Sequence, residues 1–385
     1  MNSVLLQPEI QLYIIDNLNE DPHALALKPS PFEGVSMPEI AAQIGARKRI
    51  RTKLPSLYNQ PGVLFPPQLN LEQSSSEQTA AFKANLLKGS TLIDLTGGFG
   101  IDVMAFAEKF ENVTYCEHNE ELAEIAAHNF KTLGKENIEV YTGNGIDLIE
   151  GGRWDVIYCD PDRRTTAKRA YRLADCEPNI EQLEEKLLQH CDSLWIKAAP
   201  MLDIGQAKTS LKHLDKILVV AVKGEVKELL LCCKKVTMEV TECAINLFDD
   251  QVSKDKIHDV SDVVNYSTPL SYLYLAHGAL MKLQAYSYIA EKYGVSKLAQ
   301  SSHIFTSEQL KDFPGRRFGV KAIHDYNKRT MSSFKGQPCL VIAKNFPMNV
   351  AQLRQKWKLK DAGNDYLIFT TLHDGQKVVI EASQL

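Results

Sequence analysis

The sequence predicts an α/β protein: an open, largely parallel sheet preceded by a helical segment and followed by a small α+β domain. Three observations support this. Thr91-Leu-Ile-Asp-Leu-Thr-Gly-Gly-Phe-Gly100 is an apolar run that ends in an acid and a glycine-rich turn, and the apolar stretch from Ile101 then begins a helix. A strand, glycine-rich turn and helix form the usual cradle for a nucleotide-like ligand, although a tight βα turn with no ligand reads the same way. Further strand-like runs follow at βα spacing, and four in succession carry polar or acidic residues at their C-terminal ends, the edge where such sheets bind ligands. Finally, the charge changes sign along the chain. Of a formal total of −4, residues 266–385 carry +8, from 12 Lys and 4 Arg against 8 acids, and the preceding residues carry −12.

After the first strand, residues 112–116 read as the second, with Glu117 at its tip; one carboxylate there can accept both hydroxyls of a ribose. Residues 120–133 read as a helix, with Leu122, Ile125, Ala126 and Phe130 at helical spacing. A third strand over 138–141 leads into Thr142-Gly-Asn-Gly145, with Asp147 close behind. A fourth over 154–159 ends in Asp160-Pro161-Asp162-Arg163-Arg164. The fifth spans 194–199, with Lys197 near its end either lining the edge or snorkelling from the rim. The sixth and seventh are expected at 217–222 and 236–247, with Cys232-Cys233 packed between them. Residues 248–266, carrying Asp249, Asp250, Asp255, Asp259 and Asp262, read as a polar linker.

These residues resemble the class I S-adenosylmethionine-dependent methyltransferases. Asp94-Leu-Thr-Gly-Gly-Phe-Gly100 matches their first motif, Glu117 the ribose-binding acid, Gly143-Asn144-Gly145 the adenine-side loop, and Asp160-Pro161-Asp162-Arg163 the substrate-side motif. With its C-terminal third included, the chain resembles a bacterial group assigned to RNA methylation that carries a THUMP-like domain. The resemblance implies a Rossmann-like, seven-stranded methyltransferase sheet with S-adenosylmethionine as cofactor and no metal. It makes Asp94, Thr96, Gly98, Gly100, Glu117 and Asn144 cofactor-binding candidates. The expected domains are a helical segment (1–85), the methyltransferase domain (86–250), a small connecting module (266–313) and a basic THUMP-like domain (314–385).

Methyl transfer from a sulfonium is an in-line displacement, so the enzyme's main task is to hold the acceptor close and aligned. For an exocyclic amine, a side-chain oxygen and a backbone carbonyl that accept its two N–H bonds free the lone pair. Asp160 and the carbonyl of Pro161 stand where amino-methyltransferases place Asp or Asn, then Pro. Two positions depart from that motif. Asp162 replaces a second proline, as a further acceptor, a base or an arginine's partner. Arg163 replaces the stacking aromatic, and either stacks on a base itself or holds a phosphate with Arg164. Residues 165–172 place Lys168, Arg169 and Arg172 around Tyr171, as suits a polyanion or a solvated loop.

A 385-residue chain with 44% hydrophobic residues can bury a sizeable core and suggests two or three domains. No apolar run is long enough to cross a bilayer, and the first residues lack a signal-peptide pattern, so a soluble cytoplasmic protein with no membrane partner is expected. The eight cysteines form no C-x-x-C pair and read as small buried hydrophobes in a reducing compartment. In the first 85 residues, helical patterns occur at 8–18, at 37–44 behind Ser36 as cap, and at 70–84. The basic run Arg47-Lys-Arg-Ile-Arg51 with Lys53 reads as a solvated helix end or a nucleic-acid contact. Ser74, Ser75 and Ser76 either cap a helix or, as in the resembling family, touch the cofactor's methionine end.

Between residues 316 and 360, Arg316, Arg317, Lys321, Lys328, Arg329, Lys335, Lys344, Arg354, Lys356, Lys358 and Lys360 face only Asp325. A basic surface on an otherwise acidic chain is the footprint of a phosphate backbone, with Arg316, Arg317, Lys344, Arg354, Lys356 and Lys358 as RNA-contact candidates. Strand-like runs at 339–343, 366–371 and 377–380 and a helix at 350–358 indicate a folded domain. Phe334, Phe346 and Trp357 are interleaved with the basic residues as core or as base-stacking groups. Lys344-Asn-Phe-Pro347 and Phe313-Pro-Gly-Arg-Arg-Phe318 resemble the THUMP-like group, which implies RNA binding by shape and backbone. Tyr266, Tyr272, Tyr274, Tyr286 and Tyr288 mark the connecting module. The expected activity is methylation of a base amino group in single-stranded or flipped-out RNA. Transfer to a protein or small molecule, and a non-catalytic RNA-binding role, stay open.

Overall fold

Proline and serine set the helix starts in the N-terminal segment. Helices α1 (Pro8–Asp16), α2 (Pro22–Ala26), α3 (Met37–Ile50) and α4 (Pro55–Tyr58) each place a proline in the first turn, where its missing N–H is not needed. Ser36 and Glu39 form a reciprocal capping box on α3. Two helices follow, α5 (Gln68–Gln73) and α6 (Glu77–Leu86), the latter capped by Ser76. The computed structural model describes residues 2–163, 172–237, 239–249, 251–258 and 264–385, and of Arg163 only the backbone.

Within the basic run, Lys48, Arg49 and Arg51 are exposed, whereas Arg47 departs from the sequence reading. Arg47 is fully buried rather than solvated, and its guanidinium donates to the carbonyls of Tyr58, Gln60 and Val63 at 2.8, 3.1 and 3.1 Å. It also lies over the Phe65 ring. A planar fork of five donors suits a ring of carbonyls, and burial brings its pKa down to about 10.

The chain divides into two compact units, one running to Asp215 and including Leu230–Glu239, the other comprising Lys216–Leu229 and Val240–Leu385. In the first, β1 (Thr91–Asp94), β2 (Asn112–Glu117), β3 (Ile138–Thr142), β4 (Trp154–Cys159) and β5 (Cys191–Ala198) form parallel neighbours in the order β3-β2-β1-β4-β5. Helices α7 (Ile101–Phe106) and α8 (Glu120–Thr132) follow β1 and β2, and α9 (Ile180–Gln189) precedes β5. The chain builds outward from β1 to β3, then returns to place β4 on β1's other side. The switch point therefore lies between β1 and β4, where open α/β sheets bind ligands. Val156 to Cys159 on β4 are buried without interruption, as both faces of a central parallel strand require.

Beyond β6 (Leu214–Val222), the sequence reading missed β7 (Glu225–Cys233), whose Cys232 and Cys233 are buried. The expected seventh strand is β8 (Thr241–Phe248), parallel to β6; Val236, expected to begin it, is exposed. The expected linker contains β9 (Gln251–Ile257), antiparallel to β8. Its lysines and exposed polar residues hide a strand that pairs through backbone alone. Asp255 on β9 is buried and accepts from Tyr288 at 3.0 Å and Tyr293 at 3.2 Å, and pairs with Lys292. Asp250, Asp259 and Asp262 lie outside the described residues.

The second sheet contains β10 (Tyr272–Ala276), β11 (Phe305–Ser307), β12 (Gly315–Asp325), β13 (Leu340–Ala343), β14 (Asp365–Thr371) and β15 (Lys377–Gln384). With the short Ser296–Lys297 segment at the edge beside β11, its order continues β11-β10-β12-β15-β14-β13. The long β12 carries no clear strand pattern in the sequence. Phe334 is buried with Met331, Leu353 and Phe369, and Phe346 and Trp357 pack on that cluster, so all three aromatics contribute to packing. Among the described residues, no helix is long and apolar enough to cross a membrane, and no cluster of His, Cys, Asp and Glu is arranged to hold a metal ion. None of the eight cysteines forms a disulfide, and seven are buried.

Candidate active site

The glycine-rich turn is shaped by what lies against it. Gly98 and Gly100 take φ of +56° and +83°, in the left-handed region. Gly97 is there for a different reason: a Cβ would lie 2.1 Å from the Tyr115 ring. The Tyr115 hydroxyl donates to the Gly98 carbonyl at 2.6 Å, and the Gly98 amide donates to Glu117 Oε2 at 2.9 Å. Glu117 Oε1 accepts the Asn119 amide at 2.8 Å and lies 3.2 Å from His118 Nδ1. The buried Glu117 is thus aimed by backbone, while each oxygen retains a lone pair. The loop at Gly145 passes so close to the tips of β1 and β2 that a Cβ would meet Cys116 Cβ at 2.9 Å. Asn144 is exposed, and its Oδ1 caps the 3-10 turn Gly145–Gly151 by accepting the Ile146 amide.

At the switch point, four side chains are linked. Asp94 is buried and accepts from the Thr96 amide at 2.9 Å and its hydroxyl at 3.2 Å. Burial, with the charges of Asp102 and Asp160, lifts its pKa to about 8 against those hydrogen bonds. The Asp160 amide donates back to the Thr96 hydroxyl at 2.6 Å, and its carboxylate pairs with Lys197. Pro161 is half-buried and Asp162 exposed. Desolvation, then Asp160's charge, pushes the Asp162 carboxyl up. Asp162 and Arg163 pair through backbone with Glu177 and Cys176. The expected contacts of Arg164, Lys168, Arg169 and Tyr171 lie outside the described residues.

The N-terminal segment supplies Ser75 and Lys53, both considered in the sequence reading, and Lys83, which was not. Ser76 is a helix cap, whereas Ser75 enters a buried network: its hydroxyl donates to Asp102 at 2.8 Å and accepts from Lys83 at 2.7 Å. Tyr158 donates to the same carboxylate at 3.0 Å, and Lys83 pairs with it at 3.0 Å. Burial would raise the Asp102 carboxyl, but Lys83, then Lys197, hold it below the usual range. Lys53 donates to the carbonyls of Leu71 and Glu72 at 2.7 and 2.9 Å. Burial, then the charge of Lys197, brings its amine down to about 8. The available signal was a lysine or serine at a helix start, which does not reveal its partner.

The six basic candidates do not form one cluster of free cations. Arg316 lies 5.0 Å over both Phe318 and Tyr366, Arg317 is 3.8 Å from Asp312, and Arg354 pairs with Asp361 at 2.7 Å. Lys356 lies over Trp357 and Tyr326, and Lys344, Lys356 and Lys358 are exposed.

Comparison with known proteins agrees with this architecture. A family model described as a ferredoxin-like domain matches residues 272–314, and one described as THUMP domain-like matches residues 315–384. The crystal structure of a presumed methyltransferase from Porphyromonas gingivalis W83 is 33% identical, with a TM-score of 0.89 over 99% of this chain and 98% of that one. Two Mycobacterium tuberculosis proteins, from strains CDC 1551 and H37Rv, are each described as an uncharacterized S-adenosylmethionine-dependent methyltransferase. Each is 26% identical over 188 residues, which make up 48% of this chain and 51% of the relative. The chain thus spans about half the length of the curated relatives it matches. It belongs to the class I S-adenosylmethionine-dependent methyltransferases of the group with a C-terminal THUMP-like domain. The cofactor of this family is S-adenosylmethionine.

Proposed function

We propose that the chain methylates an amino group of an RNA base, with the basic C-terminal domain holding the RNA. The observation that carries this reading is Asp160, followed by Pro161, fixed at the switch point beside the glycine cradle. The cradle fits the cofactor: Gly97 leaves no room for a side chain, and Glu117 keeps lone pairs for two hydroxyls. Bound there, S-adenosylmethionine supplies a methyl group on a sulfonium. Residues 96–100 hold its methionine end, Glu117 the ribose and the loop at Asn144 the adenine side. Asp160 and the Pro161 carbonyl accept the amine's two N–H bonds and so orient its lone pair. Arg163 stacks on the base or meets its phosphate, and Asp162 is a second acceptor.

The match to a THUMP-like domain and the net charge of residues 266–385 support RNA as the substrate. Duplex bases are out of reach, so the target is single-stranded or flipped out. Arg316, Arg317, Lys344, Arg354, Lys356 and Lys358 contact the backbone, the three arginines by exchanging their present partners for phosphate.

The test is transfer of a tritiated methyl group to an undermodified cellular extract resolved into RNA, DNA and protein. Label in an RNA band is expected. Asp160→Ala should abolish it while S-adenosylmethionine still binds. Label in protein alone, or full activity of Asp160→Ala, would overturn the reading.

A further inference from the structure

We infer that Lys197 is the positioning residue for the acceptor carboxylate: it holds Asp160 with one oxygen turned to the amine, at an edge crowded with acids. The inference rests on the proposed methylation of an RNA base amine and assigns a residue outside the motif that suggested it.

Strand register brings the two residues together. β4 and β5 pair with Tyr158 opposite Trp195 and Cys159 opposite Ile196, so the next step along each strand sets Asp160 beside Lys197. The lysine side chain is 12% exposed, and its amine pairs with Asp160 Oδ2. From the other side, Thr96 accepts the Asp160 amide at 2.6 Å and anchors on Asp94. Asp160 is thus held at its backbone from the β1 tip and at its carboxylate from β5. Among the described residues, its Oδ1 has no hydrogen-bond partner, which leaves one oxygen for a substrate N–H.

Charge adds a second reason. Asp94 and Asp162 both feel the charge of Asp160, and Asp162 also feels Glu117. A carboxylate whose charge reaches two neighbouring acids is free to rotate unless a cation is fixed against it. A lysine rising from the neighbouring strand supplies that cation without blocking the open face. Held in this way, Asp160 acts as a fixed hydrogen-bond acceptor that aims the amine, which matters because small displacements of reacting atoms cost large factors in rate.

A purely structural ion pair would give the same distances, so the test measures coupling. Lys197→Met, Asp160→Asn and the double variant are compared with the parent full-length chain. Three quantities are measured: tritiated methyl transfer to undermodified total RNA, resolved into kcat and KM; affinity for S-adenosylmethionine; and melting temperature. Lys197→Met should lower kcat by roughly 100-fold, with cofactor affinity within about twofold of the parent. In the Asp160→Asn background the same change should have no further effect on kcat, because the lysine acts through the carboxylate. Lys197→Gln replaces the methionine variant if that variant melts below the assay temperature. Unchanged kcat, losses that multiply in the double variant, or a parallel loss of cofactor affinity would each overturn the assignment. A parent that places no label in RNA overturns instead the function on which it rests.

Discussion

Gly97 offers the sharpest test of the proposed cofactor cradle. Substituting alanine adds one methyl group, which would lie 2.1, 2.3 and 2.7 Å from three carbons of the Tyr115 ring. Ordinary contact begins near 3.4 Å, so the ring would have to retreat by more than 1 Å. Tyr115 cannot do this cheaply: it is fully buried, packed edge-on against Phe130, and tied by its hydroxyl to Gly98. Overpacking of this kind costs about 1–3 kcal/mol, and losing the hydroxyl bond adds about 1 kcal/mol. Gly98 moves with it, and its amide is what aims Glu117. The expected result for Gly97→Ala is a melting temperature several degrees lower and cofactor affinity weakened at least about tenfold. Gly98→Ala is the control. A Cβ there meets nothing closer than 3.8 Å, so only the strain of its positive φ remains, roughly 1 kcal/mol. Calorimetric titration with S-adenosylhomocysteine measures both variants. If Gly97→Ala binds and melts like the parent, or suffers less than Gly98→Ala, the close-packing argument is wrong.

Three further outcomes are expected. Arg47→Met strands the carbonyls of Tyr58, Gln60 and Val63 and should cost at least about 3 kcal/mol in urea unfolding; a midpoint equal to the parent's would return Arg47 to the surface. Neutralising Lys356, Lys358 and Lys360 together should reduce the slope of log affinity against log salt for single-stranded RNA by about 2, and an unchanged slope would exclude this patch as the RNA surface. His277 is buried, and among the described residues neither ring nitrogen has a hydrogen-bond partner; burial pushes its pKa down to about 4. The unfolded chain takes up this proton near pH 6.5 and the folded chain only near pH 4, so stability is lost as the pH falls through that window. Between pH 7.5 and 5.0 the parent should lose about 2 kcal/mol more than His277→Met, and equal losses would show that the imidazole is already paired or protonated.

The residues that announce the methyltransferase do so locally. An apolar run, a glycine turn and an acid at each strand tip lie within a few positions of one another. Asp94, Gly98, Gly100, Glu117 and Asp160 can therefore be picked out from the order of residues alone, and the strands that carry them follow from unbroken apolar stretches. β9 is not legible in this way because its pairing needs only backbone, and its polar side chains read as a linker. Arg47, unlike its exposed basic neighbours Lys48, Arg49 and Arg51, misleads for the converse reason: charge suggests solvent unless something supplies acceptors, and here the carbonyls come from residues 58–63 across a turn. Serines at a helix start signal a cap, which is true of Ser76; Ser75 meets Lys83 and Asp102 only once two helices pack. Lys197 reads equally as lining the site or snorkelling from the rim, because its partner is 37 residues away. The family's cofactor, and the sheet edge proposed to hold it, are thus legible in the chain itself, since strand ends and turns are made by neighbouring residues. Which charges face each other is a property of the folded molecule: strand register and helix packing, not sequence distance, bring Asp160 and Lys197 within reach.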